Sequence, residues 1–137
     1  MPPTDLTLVV DASVVVSACL GQAAFEPLVG HGRLIAPCLL WSETASAFRE
    51  LQNRGEVDEE TAAGGLERLL GAPIERYEGR DLQREATAVA KSLGWAKTYD
   101  AEYVALARLL GAPLVTIDAR LARRVGGLAH ILGPTEL

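Results

Sequence analysis

The sequence predicts an α/β domain built on a parallel sheet with helices over both faces. Three observations carry that expectation. The best strand candidates, Leu6 to Val10 and Leu114 to Ile117, are apolar but for one threonine each, as strands buried on both faces are. Strand-like runs alternate with helical stretches along the chain. The 137 residues, 49% of them hydrophobic, fit one domain spanning residues 1–137 with a real core.

Taken in order, Leu6 to Val10 reads as the first strand, bounded by Asp11. ASVVVSACLG reads as a helix stopped at Gly21, although its valines dilute helix propensity. A short helix around Phe25 to Val29 precedes RLIAP, a brief second strand ended by Pro37. LLWSETASAFRELQNRG is a long helix with Gly55 at its C-cap. Asp58 suits the N-cap of the next helix, with Glu59 and Glu60 in its first turn and a weakening Gly64–Gly65 pair inside it. PIERY is a weak third strand, and RDLQREATAVAKSLG sets Leu82, Ala86, Val89, Ala90 and Leu93 on one helical face. A helix over Thr98 to Leu110, a turn at Gly111, the Leu114 to Ile117 strand, a helix over Ala119 to Val125 and a last short strand in AHIL complete the chain.

Composition removes several classes of function. The apolar runs are far too short to span a membrane, and MPPTDLTLVV has neither the basic start nor the long apolar core of a secretory leader, so a cytoplasmic protein is expected. Cys19 and Cys38 form no C-x-x-C motif and read as two buried thiols. His31 and His130 read as structural or exposed. A formal charge of −5 argues against a general nucleic-acid binder, and an aromatic content of 5% argues against a stacking platform for bases.

The carboxylates are the feature that remains. Asp11 and Asp118 follow the two most apolar strands, whose C-terminal ends share one edge of a right-handed parallel sheet. Asp100 opens a helix, and Glu43 lies inside one among small and apolar residues. Each Asp also suits a helix N-cap, and a helical Glu is ordinarily just solvated. Together they are costly. Two carboxylates about 4 Å apart repel by roughly 4 kcal/mol at an effective dielectric near 20. A cluster of hard oxygens without His or Cys calls for Mg²⁺ or Mn²⁺, and such a site suits phosphoryl chemistry. Glu102 stands about 200° around the helix from Asp100 and is expected to point away from it.

The segments VVDASVVV, SETASAF, TYDAEYVALA and LVTIDARLAR resemble, in order, the acidic motifs of PIN-domain ribonucleases, most closely the VapC-type toxins of bacterial toxin–antitoxin pairs. The resemblance covers essentially the whole chain. It implies a five-stranded parallel sheet in the order 3-2-1-4-5 flanked by helices, and a Mg²⁺- or Mn²⁺-dependent endoribonuclease. By motif it implies an acidic site of Asp11, Glu43, Asp100 and Asp118, supported by Ser13 and Thr116. Glu43 either completes the metal's ligands or orients the attacking water. The resemblance further implies a homodimer and a cognate antitoxin partner. Leu39, Leu40, Trp41, Leu66, Leu69 and Leu70 are the candidate dimer residues, with ordinary core packing as the alternative. Arg120, Arg123 and Arg124, just after Asp118, are candidate contacts to RNA phosphates, or simply cations suited to a helix C-terminus.

Three other readings stay open. A haloacid-dehalogenase-like phosphatase needs a second Asp two residues after the first, where this chain has Ser13. A phospho-receiver module needs an acceptor Asp after the third strand, and PIERYEG has none. A non-catalytic PIN-like module that binds RNA or protein keeps the fold without the chemistry.

Overall fold

The computed structural model describes residues 6–137; residues 1–5, part of the segment read for a leader, lie outside the described residues. The elements run β1 (Thr7–Val10), α1 (Ala12–Leu20), α2 (Glu26–Val29), β2 (Arg33–Pro37), α3 (Leu39–Asn53), α4 (Glu59–Leu70), β3 (Ile74–Tyr77), α5 (Asp81–Leu93), α6 (Tyr99–Leu110), β4 (Leu114–Val115), α7 (Ala119–Val125) and β5 (Ile131–Leu132). A short 3₁₀ turn over Pro134–Glu136 ends the chain.

All five strands are parallel, in the order β3-β2-β1-β4-β5. The central strand is the most apolar: Leu8, Val9 and Val10 are fully buried, as are Leu114 and Val115 beside them. The chain builds β1, β2 and β3 outward in one direction, then returns past β1 to place β4 on its other side. The direction of winding therefore reverses between β1 and β4, which is where open parallel sheets bind ligands.

Helices pack in two groups. α5 and α6 lie together, with α6 against β1, β2 and β4, while α1, α3 and α4 pack on one another. The α6 sequence carries small and apolar residues on most sides, and Ala101, Tyr103, Val104, Ala105, Leu106 and Ala107 are all buried. Gly111 adopts φ 59° and, as its C-cap, turns the chain toward β4.

The Gly64–Gly65 pair does more than weaken α4. A Cβ on Gly65 would stand 3.2 Å from both Leu20 and the Phe48 ring, so its missing side chain is what lets α4 approach α1 and α3. Nothing lies within 4 Å of a Cβ on Gly64. Arg68 ties the same contact from its rim, donating to the Cys19 carbonyl at 2.7 Å.

Two expectations need correction. Cys19 is buried, and burial pushes its thiol up to about 11, but Cys38 is exposed because it sits at the junction of β2 and α3. Among the candidate dimer residues, Leu40 and Leu69 belong to the core, at 0% and 1% exposure, because they lie on the inward faces of α3 and α4. Leu66 and Leu70, on α4, remain exposed.

The two glycines give opposite expectations for stability. Gly64→Ala raises it by about 0.5–1 kcal/mol through helix propensity alone. Gly65→Val lowers it by about 1–3 kcal/mol through overpacking against Leu20 and Phe48. Urea unfolding of both variants checks the pair, and equal effects would refute the close approach.

Candidate active site

Parallel pairing of β1 with β4 sets Val10 opposite Val115, so Asp11 and Thr116 leave the sheet at the same edge. The Asp11 side chain is 4% exposed and holds three donors. Ser13 Oγ donates to its Oδ1 at 2.6 Å, the Val14 amide donates to the same oxygen at 3.1 Å, and the Thr116 hydroxyl donates to Oδ2. A carboxylate offers about four lone-pair positions, so one remains open on Asp11. Both hydroxyl protons are spent on Asp11, and the 3.3 Å approach of Ser13 Oγ to Thr116 Oγ1 therefore carries none.

The same hydroxyls accept from the chain beyond β4. The Ile117 amide donates to Ser13 Oγ at 3.2 Å, and the Asp118 amide donates to Thr116 Oγ1 at 3.0 Å. This is why β4 ends at Val115 and not at Ile117. The Thr116 amide still reaches the Leu132 carbonyl, but the next two amides turn to side chains. Asp118 then caps α7, its Oδ1 accepting from the amides of Arg120 at 2.9 Å and Leu121 at 3.2 Å. The capping roles of Asp11 and Asp118 thus coexist with their place at the edge.

α3 and α6 supply the remaining acids. Glu43, half-buried on α3, accepts a hydrogen bond from the buried hydroxyl of Tyr103 on α6. Asp100 lies three residues before Tyr103 on the same helix and is exposed. Among the described residues it has no hydrogen-bond partner, so it is not a cap.

Electrostatic coupling joins these groups. Burial raises Asp11 above its ordinary value against the pull of its hydrogen bonds, and the Asp118 charge raises it further. Burial likewise raises Glu43 against the Tyr103 hydrogen bond, with Asp100 and Asp11 adding to the rise. Burial and then Glu43 push Tyr103 up, so its phenol stays a donor. Glu102 is raised by burial and by Glu43, so standing apart from Asp100 does not remove it from this field.

Among the described residues, the ion pairs are Arg33–Glu75, Arg54–Glu56 and Arg108–Glu85, none of which involves these acids. The donor set is all hard oxygen, which fits Mg²⁺ or Mn²⁺ better than Zn²⁺. Among the described residues no three His, Cys, Asp or Glu side chains stand ready to hold a metal ion as they are.

A cleft of about 410 Å³ opens beside Glu43 and Asp100, with Trp95, Ala96, Lys97, Tyr99 and Arg124 completing its lining. Arg124 stacks on the Trp95 ring, 4.6 Å from its centroid. Arg120 and Arg123 are exposed on α7 and do not line this cleft. Sequence reasoning missed Tyr103, Trp95, Lys97 and Tyr99 as neighbours of the acids. Tyr103 and Lys97 had a signal in their three-residue spacing from Asp100, and Tyr99 in standing next to it; Trp95 had none. Low aromatic content concealed that three of the aromatics, Trp95, Tyr99 and Tyr103, gather at the acidic edge.

The different bonding of two acids is measurable in metal chelator. Asp118→Ala loses two capping bonds and costs about 1 kcal/mol of stability. Asp100→Asn loses none, relieves repulsion on Glu43 and gains up to about 1 kcal/mol. Thermal unfolding of both variants checks this, and a clear loss in Asp100→Asn would make Asp100 a structural residue.

Comparison with known proteins agrees with this architecture. Residues 8–127 match the PIN domain family. Ribonuclease VapC9 of Mycobacterium tuberculosis is 34% identical over 115 residues, covering 84% of this chain and 88% of that protein. Ribonuclease VapC1 of the same organism is 37% identical over 123 residues, covering 86% and 90%. Among solved structures, PAE2754 of Pyrobaculum aerophilum superposes with a TM-score of 0.74 at 26% identity, covering 96% of this chain and 92% of the other. VapBC2 of Rickettsia felis, solved bound to a DNA fragment from its promoter, gives 0.68 at 12% identity over 93% and 98%, a likeness of fold. With the sheet order, the strand-end acids and these relatives in agreement, the chain belongs to the PIN-domain family, among its VapC-type members.

Proposed function

We propose that this protein is a metal-dependent endoribonuclease, the toxin of a type II toxin–antitoxin pair acting in the cytoplasm. The observation that carries the reading is the Asp11 carboxylate. It is buried and held on both oxygens, its three hydrogen bonds leave one acceptor position unused, and it feels the charge of Asp118 while Glu43 feels the charges of Asp100 and Asp11. The names of its mycobacterial relatives support the substrate.

Asp11, Asp100 and Asp118 would hold Mg²⁺ or Mn²⁺, directly or through water, with Glu43 beside them. When bound, the cation supplies positive charge that polarises the phosphodiester and favours loss of a proton from the attacking water. The protein's own part is positional. Ser13 and Thr116 lock both Asp11 oxygens, so its open lone pair has a fixed direction. Tyr103 fixes Oε1 of Glu43 and leaves Oε2 to orient a water, and a carboxylate raised above its ordinary value is the better proton acceptor. Cleavage is expected with Mg²⁺ or Mn²⁺ and is expected to vanish in chelator. Asp11→Asn and Asp118→Asn are each expected to lose at least about 100-fold in rate. RNA bound by the wild type but left uncut with either ion would favour the non-catalytic module.

The acidic edge also suits an inhibitor. An antitoxin segment bearing Arg or Lys would pair with these carboxylates where the cation otherwise sits, its apolar residues lying along α3. A homodimer completes the proposal. Leu66 and Leu70 keep 38% and 63% of their surface exposed on α4, with Leu39 and Trp41 half-buried on the preceding helix α3. Sedimentation at micromolar concentration is expected to show a dimer that a Leu70→Glu change dissociates. A wild-type monomer there would refute it.

A further inference from the structure

We propose that the cleft beside Glu43 and Asp100 is a subsite for one unpaired RNA base and its phosphate. The proposal rests on the ribonuclease reading for its purpose but not for its chemistry. Tyr99, the first residue of α6, is 55% exposed at the cleft. A large aromatic ring left half in water offers a free face, and every base stacks on such a face. Trp95 lies in the loop before α6, with the central carbon of the Arg124 guanidinium over its ring, 4.6 Å from the centroid. A cation held over an indole in this way is attracted by the ring and keeps its N–H groups for a phosphate.

Charge sorts the ligand. Arg33, Arg54 and Arg108 are engaged in ion pairs. Lys97 and Arg124 have no such pair among the described residues, and both line the cleft. The acids on the same lining, Glu43 and Asp100, repel a phosphate that is not brought in by these two cations. Size sorts it further. About 410 Å³ lies in the lower part of the range for small-ligand clefts, enough for a nucleotide and too little for a duplex. Bases become available for stacking in single-stranded RNA, where they can be splayed from their neighbours.

The test uses the full chain with Trp41→Phe, which leaves Trp95 as the sole tryptophan. A short single-stranded oligoribonucleotide is titrated in chelator, where it stays intact, and Trp95 emission is followed. Saturable quenching is expected, with none from the same sequence as a duplex. Tyr99→Ala is expected to weaken binding about 5- to 100-fold, and Tyr99→Phe to keep it. Lys97→Ala is expected to lower the salt dependence by about one ion. In cleavage assays with Mn²⁺, Tyr99→Ala raises KM more than it lowers kcat. Quenching by RNA that no divalent ion allows the protein to cut would sustain the subsite and remove the ribonuclease reading. Cleavage with normal affinity and KM in Tyr99→Ala would keep that reading and overturn the subsite. Trp95 emission that responds only to a protein partner, and not to RNA, overturns it as well.

Discussion

β1 ends in a carboxylate that water barely reaches, and the functional edge is organised around satisfying it. Taking an ionised carboxylate out of water costs several kcal/mol unless hydrogen bonds or an opposite charge replace its hydration. Here the replacement comes from two directions. The following helix gives the Ser13 hydroxyl and the Val14 amide, both local to the DAS turn. The third donor, Thr116, lies 105 residues away and arrives only because β4 pairs with β1. The sheet order and the chemistry of the edge are therefore one fact: the reversal of winding beside β1 is what brings Thr116 and Asp118 to Asp11.

A second long-range bond fixes the other half of the site. Tyr103 reaches Glu43 between helices that the sequence separates by 60 residues. Burial of the phenol and of much of Glu43 strengthens this hydrogen bond, because water does not compete for either partner. The result is an acid held from inside the protein and open to the outside, in the field of Asp100 and Asp11. The protein's net charge of −5 is misleading at this scale. Fields act over roughly a Debye length, about 8 Å at physiological salt, so the cleft's own lining of two acids and two cations, Glu43, Asp100, Lys97 and Arg124, matters more there than the net charge of the chain does.

Much of this was legible beforehand because it is local. The N-cap bonds of Asp11, Asp58 and Asp118 are made within three residues, and their Asp-then-helix pattern shows in the sequence. Apolar runs marked β1 and β4 as central, and the 3.6-residue period marked α5. Errors fell where distant segments decide. β4 is two residues shorter than its apolar run because side chains of the β1–α1 turn capture its amides. Gly65 reads as a helix weakness and is a packing contact, and for Leu40 and Leu69, open between a dimer face and the core, tertiary packing chose the core.

Element types, strand-end acids and family motifs could thus be read from the chain alone, since they follow from residue period, capping and spacing within a few positions. The partner of each acid could not. Whether Glu43 meets a tyrosine, whether Arg124 lies free or on Trp95, and whether three aromatics gather at the acidic edge are settled by packing. Those contacts join residues tens of positions apart, and no periodicity within a segment encodes which distant face it will meet.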